Sequence, residues 1–262
     1  MNESDLVPGH RNHGSGKTKI IALHDWISDG SAYEPMLPYL DPELYQWAFM
    51  DLRGYGLSRH LSGIYSLEEA ASDVVALADK LNWNDFHLVG HSMSGMIIQK
   101  VAAKVPQRIL SLVAIAPVSA HGQPLDNNQR EGLQEMARER KRANILRSMW
   151  GERLSESWFQ FKLRRWRETA EAEASIGYVE MFAGPGFADE IAGFNRPVLL
   201  IAGSHDSGPF TEDALLTAFA PLYPKLTTTT IRDAGHYPMQ ETPVLLATII
   251  GRFLSGTISP HI

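Results

Sequence analysis

Residues 86–95, FHLVGHSMSG, form the stretch on which the fold turns. FHLVGH (86–91) is a mostly apolar run of strand length. MSGMIIQKVAAKV (93–105) then reads as a helix and stops at Pro106, which a helix interior does not accommodate. Between them lies Gly90-His91-Ser92-Met93-Ser94-Gly95. A strand, a tight turn and a helix in direct succession put Ser92 in a strained backbone conformation with its hydroxyl raised above the sheet. The residues two places to either side must be small, because strand and helix crowd together there. Gly90 meets this fully, and Ser94 stands where a second glycine is usual but is still small. The competing role for Ser92 is that of a plain helix N-cap.

Working outward, short apolar runs alternate with helical periodicity. TKIIALH (18–24), QWAFMDL (46–52), ILSLVAIAP (109–117) and RPVLLIAG (196–203) read as buried strands beside FHLVGH, and LTTTTIRD (226–233) as a strand nearer the edge. Near-continuous apolar runs are what a parallel sheet covered on both faces requires. SLEEAASDVVALADKL (66–81) opens with Ser66 and Glu69 in capping-box spacing, and TPVLLATIIGRFL (242–254) with Thr242 as cap and Pro243 at the first helical position. This alternation predicts an α/β fold with a mostly parallel, doubly wound sheet. From about 121 to about 194 no strand is legible, and NNQREGLQEMARERKRANILRSMW (127–150) and SESWFQFKLRRWRETAEAEA (155–174) read as helical. The expected organisation is one core, residues 1–120 and 195–262, interrupted by a helical cap over 121–194. The N-terminus has too little β character for a long leading hairpin.

A length of 262 residues suits one large domain with an insertion, and 44% hydrophobic against 21% charged residues describes a globular chain. The net charge of −6 and the lack of a long basic stripe argue against nucleic acid as a partner. With no cysteine there is no disulfide, thiolate nucleophile or cysteine metal site. The leading MNESDLVPGHRNHGSGKTK (1–19) carries no apolar segment of a secretory signal, and no run is long enough to span a bilayer. The expected compartment is the cytoplasm, with no membrane partner. A phosphate loop with its lysine and an HExxH zinc pattern are both absent, so neither a metal nor another cofactor is expected.

A nucleophilic serine needs a base, and the base needs a carboxylate to fix its tautomer. Ala234-Gly235-His236-Tyr237-Pro238 follows the last strand and singles out His236 among the ten histidines by context. Ala202-Gly203-Ser204-His205-Asp206 follows another strand and supplies Asp206, with Asp233 ranked second. The order Ser92, Asp206, His236, each after a different strand, is that of the α/β-hydrolases. Over roughly residues 18 to 255 the chain resembles this superfamily, through LHDW, DLRGYGLS, GHSMSG, AGSHD and AGHYPMQETP.

The resemblance implies a serine hydrolase of small carboxylic esters or lactones, working through an acyl-enzyme. It assigns the oxyanion-hole N–H groups to Trp26 and Met93. Relatives usually carry glycine at the position of Asp25, so its carboxylate is expected to point away from the hole and to tie the loop down. His24 is expected to hold the same loop. His24, Asp25, Trp150 and Trp158 are the further candidates for contact with substrate. Trp150 and Trp158 belong to a set of cap aromatics, with Phe159, Phe161 and Trp166, that mostly pack the cap onto the sheet. Asp51 and Arg53 are read as loop braces. Haloalkane dehalogenases and epoxide hydrolases place an aspartate at the elbow, so Ser92 argues against both. Carbon–carbon bond hydrolases and cofactor-free dioxygenases of this fold remain alternatives. So does a small-molecule receptor, whose HSVS-type elbow HSMSGMI resembles. The expected partner is a small-molecule substrate, the receptor alternative would also signal through a further partner, and the oligomeric state is left open.

Overall fold

The computed structural model describes residues 7–139, 146–147 and 153–257. Seven strands form one sheet: β1 (His10–His13), β2 (Thr18–Leu23), β3 (Tyr45–Met50), β4 (Phe86–His91), β5 (Ile109–Ile115), β6 (Val198–Gly203) and β7 (Leu226–Ile231), in the order β1-β3-β2-β4-β5-β6-β7. All pairings are parallel except β1 with β3. The six apolar runs read as strands are all present. The central four are almost wholly buried, whereas β7, with its threonine run, is half-buried at the sheet's edge. β1 has no counterpart in the sequence reading: His10-Arg11-Asn12-His13 is polar because it pairs on one side only.

Helices α1 (Leu67–Lys80) and α2 (Met93–Lys104) pack on each other, and α2 lies against β4 and β5. Ser66 accepts from the Glu69 N–H (3.1 Å), while Glu69 reaches back to the N–H of Tyr65 rather than of Ser66. Helices α3 (Asn127–Glu139), α4 (Glu156–Thr169), α5 (Ala172–Phe182) and α6 (Ala188–Ile191) lie between β5 and β6 in the chain. The break between α4 and α5 interrupts the stretch 155–174 that reads as one helix. There Glu171 donates its N–H to Gly54 O and Ala170 bridges Tyr55, so the helix is interrupted to meet the loop after β3. Helices α7 (Glu212–Phe219), α8 (Pro238–Glu241) and α9 (Pro243–Leu254) complete the chain. Pro243 starts α9 as read, but the Thr242 hydroxyl donates to Pro238 O instead of capping the helix by its side chain. Among the described residues no helix is long and apolar enough to cross a membrane.

Parallel strands bring the carboxyl ends of β2, β3, β4, β6 and β7 to one edge of the sheet. The crevice outside that edge is where such sheets hold ligands. The loops there are braced by charge. Asp51 accepts from the N–H groups of Gly30 (2.7 Å) and Leu57 (2.8 Å) and pairs with Arg11, and Arg53 pairs with Asp73 (2.6 Å).

Candidate active site

Ser92 is the residue between β4 and α2 and sits at φ +55°, a region that costs a non-glycine residue about 1–3 kcal/mol. The surroundings hold it there: its N–H donates to Ile115 O (3.0 Å), and its carbonyl accepts from Gly95 (2.9 Å) and Val118 (2.8 Å). A Cβ on Gly90 would stand 2.5 Å from Ser94 O, so strand and helix come too close for any side chain there. Ser94 fits by turning its hydroxyl to His24 O (2.5 Å), which joins the start of α2 to the loop after β2.

Three residues far apart in the chain meet at this point. His236, in the loop after β7, lies with Nε2 2.9 Å from Ser92 Oγ and Nδ1 2.7 Å from Asp206 Oδ2. A carboxylate only accepts, so the proton sits on Nδ1, and Nε2 offers its lone pair to the serine hydroxyl. The Asp206 carboxylate and the His236 ring are almost wholly buried. Asp233 is exposed in the turn after β7.

A cavity of about 50 Å³ opens at Ser92, with Asp25, Trp26, Met93 and His236 in its wall. Met93 is the first residue of α2, so its N–H has no carbonyl one turn earlier in the helix to meet. Trp26 is fixed from two sides: its indole donates to Ser175 O (2.7 Å) and its carbonyl accepts from Tyr55 Oη (2.7 Å). Its ring also packs on Trp166 at 5.0 Å, so the loop after β2 is tied to α4 and α5.

Asp25 is buried beside the cavity. It accepts from the Ile27 N–H (3.3 Å), the Ser28 hydroxyl and the Tyr237 hydroxyl (2.5 Å). Burial pushes its carboxyl pKa up, but the Lys162 ammonium, His91 and the two hydroxyls outweigh this and hold it well below the ordinary carboxylate range. Lys162 comes from α4 and is itself buried. Its ammonium lies 3.8 Å from the Tyr237 ring centroid and 3.5 Å from Ser28 Oγ. Burial lowers the Lys162 pKa, Asp25 opposes this, and burial raises that of Tyr237, next to Asp25. His91, immediately before Ser92, donates from Nε2 to His236 O (2.7 Å). Its Nδ1 has no hydrogen-bond partner among the described residues and stands 3.9 Å from Asp25 Oδ1. Burial pushes its pKa down to about 3, so it is neutral near pH 7.

Of the residues singled out in the sequence, Ser92, His236, Asp206, Trp26, Met93 and Asp25 come together. His24 does not line the cavity. It is fully buried, donates from Nδ1 to Asp25 O (2.7 Å) and accepts the Leu52 N–H at Nε2 (3.1 Å). Trp158 is also away from the cavity. It lines a surface groove with Phe161 and Arg165, its indole donates to Gln240 (3.2 Å), and its ring meets Tyr237 edge-on. Phe159 and Trp166 are buried, whereas Trp150 lies outside the described residues. Val118, Gln123, Leu133, Phe182, Phe210 and Tyr237 line the cavity without having been singled out. Only Tyr237 had a signal, its place directly after His236.

The sequence matches the model of the "Alpha/beta hydrolase family" over residues 13–249. A pimeloyl-[acyl-carrier protein] methyl ester esterase of Xanthomonas oryzae pv. oryzae is 26% identical over 248 residues, 90% of this chain and 95% of that protein. A human serine hydrolase-like protein is 31% identical over 98 residues. That match takes in 37% of this chain and 48% of the relative, about half its length. Among solved structures, a hydrolase from Oleispira antarctica superposes with a TM-score of 0.82 at 18% identity, over 97% of this chain and 96% of the other.

Proposed function

The chain belongs to the alpha/beta hydrolase family, and from that premise we propose that it is a serine hydrolase that cleaves a small carboxylic ester or lactone. The observation that carries this reading is the unbroken hydrogen-bonded line from Asp206 through His236 to Ser92, ending in the cavity. The likeness to an enzyme named as a methyl ester esterase supports the reaction class.

In this mechanism Ser92 Oγ attacks the carbonyl carbon while His236 Nε2 takes the hydroxyl proton. Asp206 stabilises the imidazolium that forms. The N–H groups of Met93 and Trp26 face the developing oxyanion, and such a donor contributes about 3 kcal/mol. The tetrahedral intermediate collapses, and His236 delivers its proton to the departing alkoxide. Water then attacks the acyl-enzyme with His236 as base, releasing the acid and restoring Ser92.

The test is a panel of chromogenic short-chain esters with wild type and Ser92→Ala. Wild-type turnover that falls by at least about 10⁴-fold in the variant is expected. Equal rates for the two proteins refute the serine mechanism.

A further inference from the structure

Beside the Ser92 cavity lies a groove of about 370 Å³, between the loop that follows β5 and helix α7. The two spaces share Val118, Gln123 and Phe210, so they adjoin at these three side chains. Their sizes differ greatly. The inner cavity, at about 50 Å³, holds only a few atoms, since a single water already needs about 10–15 Å³. The groove falls in the range of small-molecule sites. Their chemistry differs too. The inner wall includes Asp25, whose carboxylate is bound by Ile27, Ser28 and Tyr237, whereas the groove's lining includes no Asp, Glu, Lys or Arg. On its α7 side the groove is walled by Ala214, Leu215, Thr217 and Ala218; the two alanines, four residues apart, share one helix face.

Phe210 sets the direction. Its ring packs edge-on against the His236 ring, with centroids 4.6 Å apart. In ester cleavage His236 Nε2 must hand its proton to the leaving oxygen, so the alcohol has to depart on the histidine side. The acyl group then occupies the space beside Trp26 and Met93. We propose, on the ester-hydrolase reading above, that the groove past Phe210 is the leaving-group subsite, and that the preferred substrates are short uncharged acyl esters of longer apolar alcohols. The step balances as hydrolysis: the acyl–oxygen bond breaks, the alkoxide takes the proton from His236, and water supplies the acid's oxygen.

Each methylene buried in the groove raises kcat/KM by about threefold to fourfold, the equivalent of about 0.8 kcal/mol. The experiment follows acid release by pH-stat for two series, acetates of methyl, butyl and hexyl alcohol, and methyl esters of acetic, butanoic and hexanoic acid. Wild type, Ala218→Trp, Ala214→Trp and Ser92→Ala are compared, with folding checked by thermal melting. The expected result is that kcat/KM climbs along the alcohol series and falls along the acyl series. Either tryptophan, filling the groove, cuts the hexyl-to-methyl acetate ratio at least tenfold. A climb along the acyl series with a flat alcohol series overturns the subsite while leaving the hydrolase reading standing. So does an unchanged ratio in both folded tryptophan variants. The absence of Ser92-dependent turnover of every ester overturns the hydrolase reading, and the subsite with it.

Discussion

Two histidines, His236 and His91, stand with ring centroids 5.1 Å apart, and each has an aspartate beside it. For His236 the aspartate is 2.7 Å away, in hydrogen-bond contact, and the other ring nitrogen faces Ser92. For His91 the aspartate is 3.9 Å away with no hydrogen bond, and the other nitrogen is spent on the His236 carbonyl. In the proposed mechanism the first ring takes the serine proton, and the carboxylate in contact with it stabilises the imidazolium. The second is held neutral by burial, and its aspartate finds its positive partner in Lys162 instead. Residue type alone does not tell a working imidazole from a structural one. Contact with a carboxylate and a second nitrogen facing a serine hydroxyl set His236 apart from His91.

The sharpest way to break this comparison is to neutralise each aspartate. Asp206→Asn should lower kcat on a short-chain ester by about 10³–10⁴-fold with little change in melting temperature, because the amide favours the wrong tautomer of His236. Asp25→Asn should act the other way round, with a smaller kcat effect and a larger loss of stability. Removing one charge of a buried pair typically costs about 3–5 kcal/mol, since the other stays buried and uncompensated. Lys162→Met should do the same from the helical side. In the double variant the losses should fall short of their sum by about 1–3 kcal/mol, as judged by urea unfolding. Strict additivity would mean that Asp25 and Lys162 do not stabilise each other.

The comparison also marks what the sequence discloses. Ser92, Asp206 and His236 were legible because each lies in the segment just beyond a strand, beside small residues. The parallel strands β2 to β6 were legible because burial on both faces writes near-continuous apolar runs, and β7 because its run of β-branched threonines marks an edge strand. Lys162 was not legible. It lies in FKLRRWRE (161–168), a run rich in charge, and only the placement of α4 over the loop after β2 buries it. Leu133 and Phe182 were hidden likewise, because which face of α3 or α5 meets the cavity is decided by tertiary contact. β1 was missed because an edge strand needs no apolar run, and the break before α5 because its cause, Gly54 and Tyr55, lies in another part of the chain.

His91 gives a pH test of intermediate size. Its folded pKa of about 3 lies below the ordinary histidine value, so between about 6.5 and 3 the unfolded chain binds a proton that the folded chain does not. Stability from this group is therefore full above pH 6.5 and is lost as pH falls, at about 1.4 kcal/mol per pH unit. His87, pushed down to about 4 by burial, adds to the same window. His91→Gln should make urea stability fall less steeply from pH 6.5 to 4, by about one proton, with His87→Gln as the parallel control. An unchanged slope would mean that His91 already carries a proton in the fold and that Asp25 is its true partner, which would erase the contrast with His236.

The smallest effect concerns the joint between the two halves of the site. Ser94 replaces a usual glycine, and its hydroxyl holds the His24 carbonyl at 2.5 Å. Through His24, Asp25 and Trp26 that bond links the start of α2 to the loop assigned one oxyanion donor. Ser94→Gly removes a buried hydrogen bond and leaves a buried carbonyl short of a donor, at a cost of about 1–2 kcal/mol in urea unfolding. A looser loop positions the Trp26 N–H less well, so kcat should fall a few-fold while Asp206 and His236 continue to activate Ser92. The variant thus separates oxyanion-loop alignment from nucleophile activation. If it lost as much activity as Asp206→Asn, the two halves would not be separable and the bond would be part of the serine's own activation.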